Sequence, residues 1–102
     1  MIIVADSIIQ RDKTHCYICE MNECGDHLDK HHIFGGALRD KSEQYGLFVY
    51  IHHNKCHIFG KNSVHMNRAI QSKLEQIAQK KAMAYYSWTA EEFSRIFYKN
   101  YL

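Results

Sequence analysis

The sequence predicts a small α+β domain, and three observations carry that expectation. Leu47 to Ile51 is an apolar, β-rich run entered by Gly46, the pattern of a buried strand. From about Met66 to Tyr85, the apolar residues Met66, Ala69, Ile70, Leu74, Ile77, Ala78 and Tyr85 recur at helical spacing. Arg68, Gln71, Lys73, Glu75 and Lys80 fall mostly on the other side. Thr89 and Glu92 spell a capping box for a further helix over about 89–100, with Trp88 placed to staple against Phe93. Phe93, Ile96, Phe97 and Tyr101 would bury one face of it.

At 102 residues the chain has room for a single domain over 1–102, with a core of about 14–85 and the C-terminal helix packed around it. Two Rossmann halves, a TIM barrel and a transporter are excluded by length. A chain this short buries only about 65% of its unfolded surface, so a metal staple would help it fold. Ile2, Ile3 and Val4, then Ile8 and Ile9, suit a strand or a brief packed segment, and the polar, Cys-rich stretch from Thr14 to Lys30 suits a knuckle and loop. His52 to Ser63, with Gly60, suits a loop or broken turn. The expected order is knuckle, strand, loop, strand, metal-rich turn, helix, helix.

No apolar run approaches the ~18 residues of a membrane span, and Met1 to Gln10 lacks the basic region of a secretory signal. The expectation is a soluble cytoplasmic protein with no membrane partner. Charge is unevenly spread. Residues 1–43 carry five Lys/Arg against eight Asp/Glu, whereas residues 44–90 carry six against Glu75 alone. A basic middle points to an anionic partner such as nucleic acid, or to a solvated helix face.

Eight His and four Cys are many for so short a chain. Interleaved with histidines, and in a compartment that keeps thiols reduced, the cysteines point to metal rather than disulfides. Cys16 and Cys19 form a CxxC pair, and His53 and Cys56 supply HxxC downstream. A redox role for CxxC wants a βαβ pattern that is missing here. Zinc accepts Cys3His readily, and a closed four-ligand site is structural. His52 is the alternative to His53, and Cys24 is a spare. A second cluster comprises His31, His32, His57 and His65. Adjacent residues on extended chain point to opposite faces, so His31 and His32 can do two jobs, one binding metal and the other reaching a water. Gly35 and Gly36 then allow a tight bend.

His31-His32-Ile-Phe-Gly-Gly, the strand from Tyr45 to Ile51, Cys56-His57 and Val64-His65-Met-Asn67 together resemble the HNH endonucleases, also called ββα-metal or His-Me finger nucleases. The likeness is nearest to small phage and prophage members, and the CxxC is similar to that of their zinc-bearing subset. It covers about residues 16–75.

The resemblance implies a ββα-metal core with a structural zinc knuckle and C-terminal helices. It implies hydrolysis of DNA phosphodiester bonds to 5′-phosphate and 3′-hydroxyl ends. His32 would be the general base, and His31, His57 and His65 would bind one catalytic divalent metal (Mg²⁺, Mn²⁺, Ni²⁺ or Zn²⁺), with Asn67 a fallback for His65. A neutral imidazole is a competent base near pH 7, and a cation stabilises charge without proton transfer. Arg39, Lys41, Lys61, Arg68 and Lys73 would contact phosphates. The implied setting is a bacterial host cell, with phage packaging or recombination proteins as partners and a homodimer as a route to cutting both strands. The chain departs from the family where the middle Asn of the motif would brace the base: Tyr45-Gly46-Leu47 stands there, leaving Gln44 or Asn54 as candidates. A competing reading on the same scaffold is a non-catalytic, zinc-stabilised adaptor for nucleic acid or protein.

Overall fold

The computed structural model describes residues 6–19, 26–58 and 63–102. Within them lie two antiparallel strands and three α-helices: β1 (Leu28–His32), α1 (Arg39–Tyr45), β2 (Phe48–His52), α2 (Arg68–Tyr86) and α3 (Ala90–Phe97). The fold is α+β, as expected. No helix among the described residues is long and apolar enough to cross a membrane. Ile2 to Val4, Cys24, Gly60 and Lys61 lie outside the described residues.

The expected strand 47–51 is β2, displaced by one residue. It pairs with β1 so that Leu28 faces His52 and His32 faces Phe48, and a hydrogen bond from Ile33 N to Leu47 O (3.1 Å) continues the ladder. Two strands alone are marginal in water and need packing on other elements. Here the segment before β1 supplies part of that support. Ser7 Oγ donates to Phe48 O (2.6 Å), Gln10 Oε1 accepts from Tyr50 N (2.7 Å) and Tyr17 N donates to Tyr50 O (2.9 Å). Of the two options for Ile8 and Ile9, the structure takes the packed segment.

The connection from β1 to β2 is more ordered than its composition suggests. A 3₁₀ turn at Gly36–Leu38 leads directly into α1, where the sequence predicts a loop carrying Arg39 and Lys41. Seven residues, RDKSEQY, are too few and too polar to show an apolar period. Gly46 ends α1 in the left-handed region (φ 74°), a conformation that suits glycine, and its N–H caps Ser42 O and Glu43 O. After β2, where a loop or broken turn is expected, the chain makes a wide helical turn, His53–Ile58.

α2 starts at Asn67, whose side chain accepts from Ala69 N and Ile70 N. Leu74, Ala78 and Ala82 are buried on it, while Met66 and Tyr85, expected on the apolar face, are exposed. The stripe holds two polar residues instead. Gln79, with no exposed surface, donates to Asn100 Oδ1 (2.8 Å) and accepts from Tyr101 N (2.7 Å), clamping the C-terminal residues onto the helix. The capping box of α3 forms as read. Phe93 and Phe97 are fully buried against Phe34 and Tyr101, so truncating either Phe to Ala would cost about 3–5 kcal/mol. Trp88 stacks on Tyr86 and meets the edge of Tyr45.

Candidate metal centres and cleft

Cys16, Cys19, His52 and Cys56 are positioned to hold a metal ion: one donor atom from each lies within 4.8 Å of the others. The knuckle brings Cys16 and Cys19, the last residue of β2 brings His52, and the helical turn brings Cys56. Cys19 Sγ is 3.2 Å from His52 Nδ1, and Cys56 Sγ is 3.9 Å from it. All three are free thiols. Burial pushes the Cys16 thiol up, but backbone N–H groups of Cys19, His52 and Ile18 aim at its sulfur and leave it below its ordinary value. Burial and the neighbouring sulfurs push Cys56 up to about 12. A full set of thiolates here requires a cation, as the donor set of a closed zinc site demands.

The HxxC spacing put His53 in the fourth position, and the structure puts His52 there. A strand residue and its successor face opposite ways, so only one of the pair can turn toward the thiols. His52 does so and is buried, whereas His53 Nδ1 meets Asp29 Oδ2 at 2.5 Å on the other side. With residues 53–58 helical, His52 and Cys56 sit four apart and His53 and Cys56 three apart. Spacing alone therefore could not choose; the observed parity of β2 does.

On the opposite side of the turn, His31, His57 and His65 converge from β1, the turn and the segment before α2. Ring centroids are 5.0 Å apart for His31 and His57, 5.8 Å for His31 and His65, and 4.7 Å for His57 and His65. Backbone hydrogen bonds from Val64 N to Cys56 O (2.9 Å) and from His65 N to His57 O (3.1 Å) set the last two side by side. Asn67, the fallback ligand, is occupied as the cap of α2.

Second partners fix which nitrogen of each ring is bare. Burial raises the Asp29 carboxyl, but hydrogen bonds from His57 and His53 outweigh it and hold it below its ordinary value. As an ionised acceptor 2.9 Å from His57 Nδ1, it takes that proton's hydrogen bond and leaves His57 Nε2 as the lone-pair nitrogen, 3.1 Å from His65 Nε2. Two imidazole nitrogens facing at that distance share either a proton or a cation. Gln71 does the same for His31. Its Nε2 donates to Ile33 O (2.7 Å), which orients the amide so that Oε1 accepts from His31 Nε2 (3.0 Å), leaving Nδ1 bare. Burial, with the neighbouring imidazoles, holds His31 down at about 4, and burial with His57 lowers His65. His31 therefore keeps a lone pair at neutral pH.

His32 turns the other way from β1 and places Nε2 2.7 Å from Glu43 Oε1. The hydrogen bond from His32 is the main reason the Glu43 carboxyl lies below its ordinary value. Glu43 therefore accepts, and His32 Nδ1 is the nitrogen that can take a proton. Lys30 bridges both Glu43 oxygens at 3.2 Å.

His31, His32, His57 and His65 share an open cleft of about 640 Å³, whose walls include Lys30, Arg39 and Arg68. Arg68 is tethered to Glu75 (3.0 Å). Lys41, expected at the phosphates, is drawn elsewhere: its Nζ donates to Ile96 O (2.8 Å) and lies over the Tyr98 ring (4.3 Å), pinning α1 to the end of α3. The segment after His32 is braced by three groups: Leu47 O, Gln71, and Ser42 Oγ, which accepts from Phe34 N (3.0 Å). Of the two brace candidates, Asn54 is exposed and its backbone N–H donates to Asp26 Oδ1 (3.0 Å). Glu43, Gln71 and Asp29 had no sequence signal, because each is a lone polar residue whose partner is distant along the chain.

The chain matches no protein-family model, no curated protein and no solved structure.

Proposed function

We propose that the chain is a metal-dependent DNA endonuclease of the HNH, or ββα-metal, type. The observation that carries this reading is the convergence of His31, His57 and His65 beside His32 in one open cleft, with partners that fix the tautomers of His31, His57 and His32. Protein folding alone has no use for three imidazoles gathered at the wall of an open cleft.

In this reading His31, His57 and His65 hold the divalent cation, and the all-nitrogen set suits Zn²⁺ or Ni²⁺ better than Mg²⁺. Once bound, the cation supplies positive charge to a phosphate oxygen and to the departing 3′ oxygen. His32 removes the proton of the attacking water at Nδ1, and Glu43 holds the ring and offsets the positive charge it gains. Arg39 and Arg68 receive the flanking phosphates, which gives affinity without sequence choice. The Cys16, Cys19, His52, Cys56 cluster holds structural zinc and fixes the turn that presents His57.

The test is nicking of supercoiled plasmid by the protein and by its His32→Ala variant, with Mg²⁺, Mn²⁺, Ni²⁺ or Zn²⁺ and with chelator. Metal-dependent nicking by the wild type and none by the variant is expected. Equal nicking by both would remove His32 from its role, and no nicking by a folded, zinc-containing sample would favour a non-catalytic adaptor.

A further inference from the structure

A third donor cluster lies at the far end of β1 and belongs to neither centre described above. Asp29 sits between two imidazoles, with Oδ1 3.1 Å from His27 Nε2 and Oδ2 2.5 Å from His53 Nδ1. One donor atom from each of the three residues lies within 4.8 Å of the others. The two rings stack at 4.7 Å between centroids with planes only 19° apart. This proximity is built into the backbone, because His53 N donates to His27 O (2.8 Å), one step beyond the β1–β2 ladder. Asn54 N donates to Asp26 Oδ1 (3.0 Å) and ties down the next residue on each side.

We infer that His27, Asp29 and His53 form an additional binding position for a first-row divalent cation such as Zn²⁺, Ni²⁺ or Co²⁺. Two imidazole nitrogens and one carboxylate oxygen are a donor set these ions accept, and Mg²⁺ and Ca²⁺ prefer oxygen throughout. His27 is exposed and the other two are half-buried, so solvent fills the remaining coordination positions and the ion enters without any opening of the fold. The carboxylate supplies the compensating charge that a pair of neutral imidazoles lacks.

The position is joined to the histidine cleft by Asp29 itself, whose Oδ2 is also 2.9 Å from His57 Nδ1. A cation drawing on Asp29 weakens the hydrogen bond that orients His57, and two nearby cations repel each other. Filling the outer position therefore loosens the inner one. The inference does not depend on the endonuclease reading, since it concerns binding alone.

The test is titration of the full-length, zinc-preloaded protein with Zn²⁺ alone, followed by total metal analysis and by imidazole ¹H–¹⁵N correlation spectra. Wild type should take up one ion for each of the three clusters. His27→Ala, a change at an exposed side chain, should take up one fewer while the thiol-bound ion stays. His65→Ala should lose the cleft ion and keep the outer one, so failure of the cleft and failure of the outer position are separable. The His27 and His53 ring nitrogens should shift as the outer ion binds. An unchanged metal count in His27→Ala, or His27 and His53 resonances that stay still through saturation, would overturn the inference.

Discussion

His32 Nε2 lies 2.7 Å from Glu43 Oε1, joining the last residue of β1 to the helix that immediately precedes β2. The carboxylate decides which nitrogen of the ring carries the proton, and it does so from a helix in contact with that strand. In the endonuclease reading, replacing Glu43 with Ala should lower kcat for DNA cleavage about 10- to 100-fold, the scale of losing a group that orients a functional histidine. Zinc content should hold steady, because Glu43 is no part of the thiol cluster. Kinetics on a defined duplex, with metal analysis alongside, checks this. A fall in DNA affinity with kcat intact would reassign Glu43 to binding.

His52 and His53 give a sharper discrimination. His52→Ala should lose the structural ion, and with it an energy comparable to the ~5–15 kcal/mol net stability of a small domain, so the variant should be largely unfolded. His53→Ala should retain that ion and fold. Circular dichroism together with bound-zinc measurement separates the two, and the opposite pattern would restore the HxxC assignment.

Burial holds His31 at about 4 against an ordinary 6.5. Between those values the unfolded chain takes up a proton that the folded protein refuses. Its contribution to stability is therefore complete above about pH 6.5 and is lost progressively as pH falls toward 4. His31→Gln removes this titration. With the thiol cluster loaded and no excess cation, urea unfolding across the upper part of that window should show a shallower dependence on pH for the variant. Parallel curves would mean that His31 does not titrate differently on folding.

Arg39 and Arg68 line the cleft and Lys41 does not. Each of Arg39→Ala and Arg68→Ala should reduce the slope of log K against log salt for duplex DNA by about 0.9. Lys41→Ala should leave the slope alone and lower stability by about 1 kcal/mol through loss of its bond to Ile96 O. Fluorescence anisotropy over a salt series, and thermal melts, measure both.

Residue type and spacing made much of the fold and the site legible. The run 47–51, the period of α2, the Thr89–Glu92 box and the cysteines Cys16, Cys19 and Cys56 all announce themselves locally. So do His31, His57 and His65, which the structure gathers into one cluster. What stayed hidden was set by tertiary partnership. α1 has no apolar face to read, Gln79 sits in a core stripe because Asn100 and Tyr101 satisfy it, and Glu43, Gln71 and Asp29 matter only through histidines far along the chain. The choice between His52 and His53 depended on where β2 ends, and a one-residue displacement is beyond the precision of pattern reading.

Cys56 and His57 are consecutive, yet the first turns to the buried thiols and the second to the open cleft. A single peptide unit thus belongs to both centres, and neither side chain can take its place until the turn between them has set. A nascent chain that has not yet gathered its sulfurs has no fixed location for His57. Any change that releases the sulfur side of that unit therefore also releases the imidazole side.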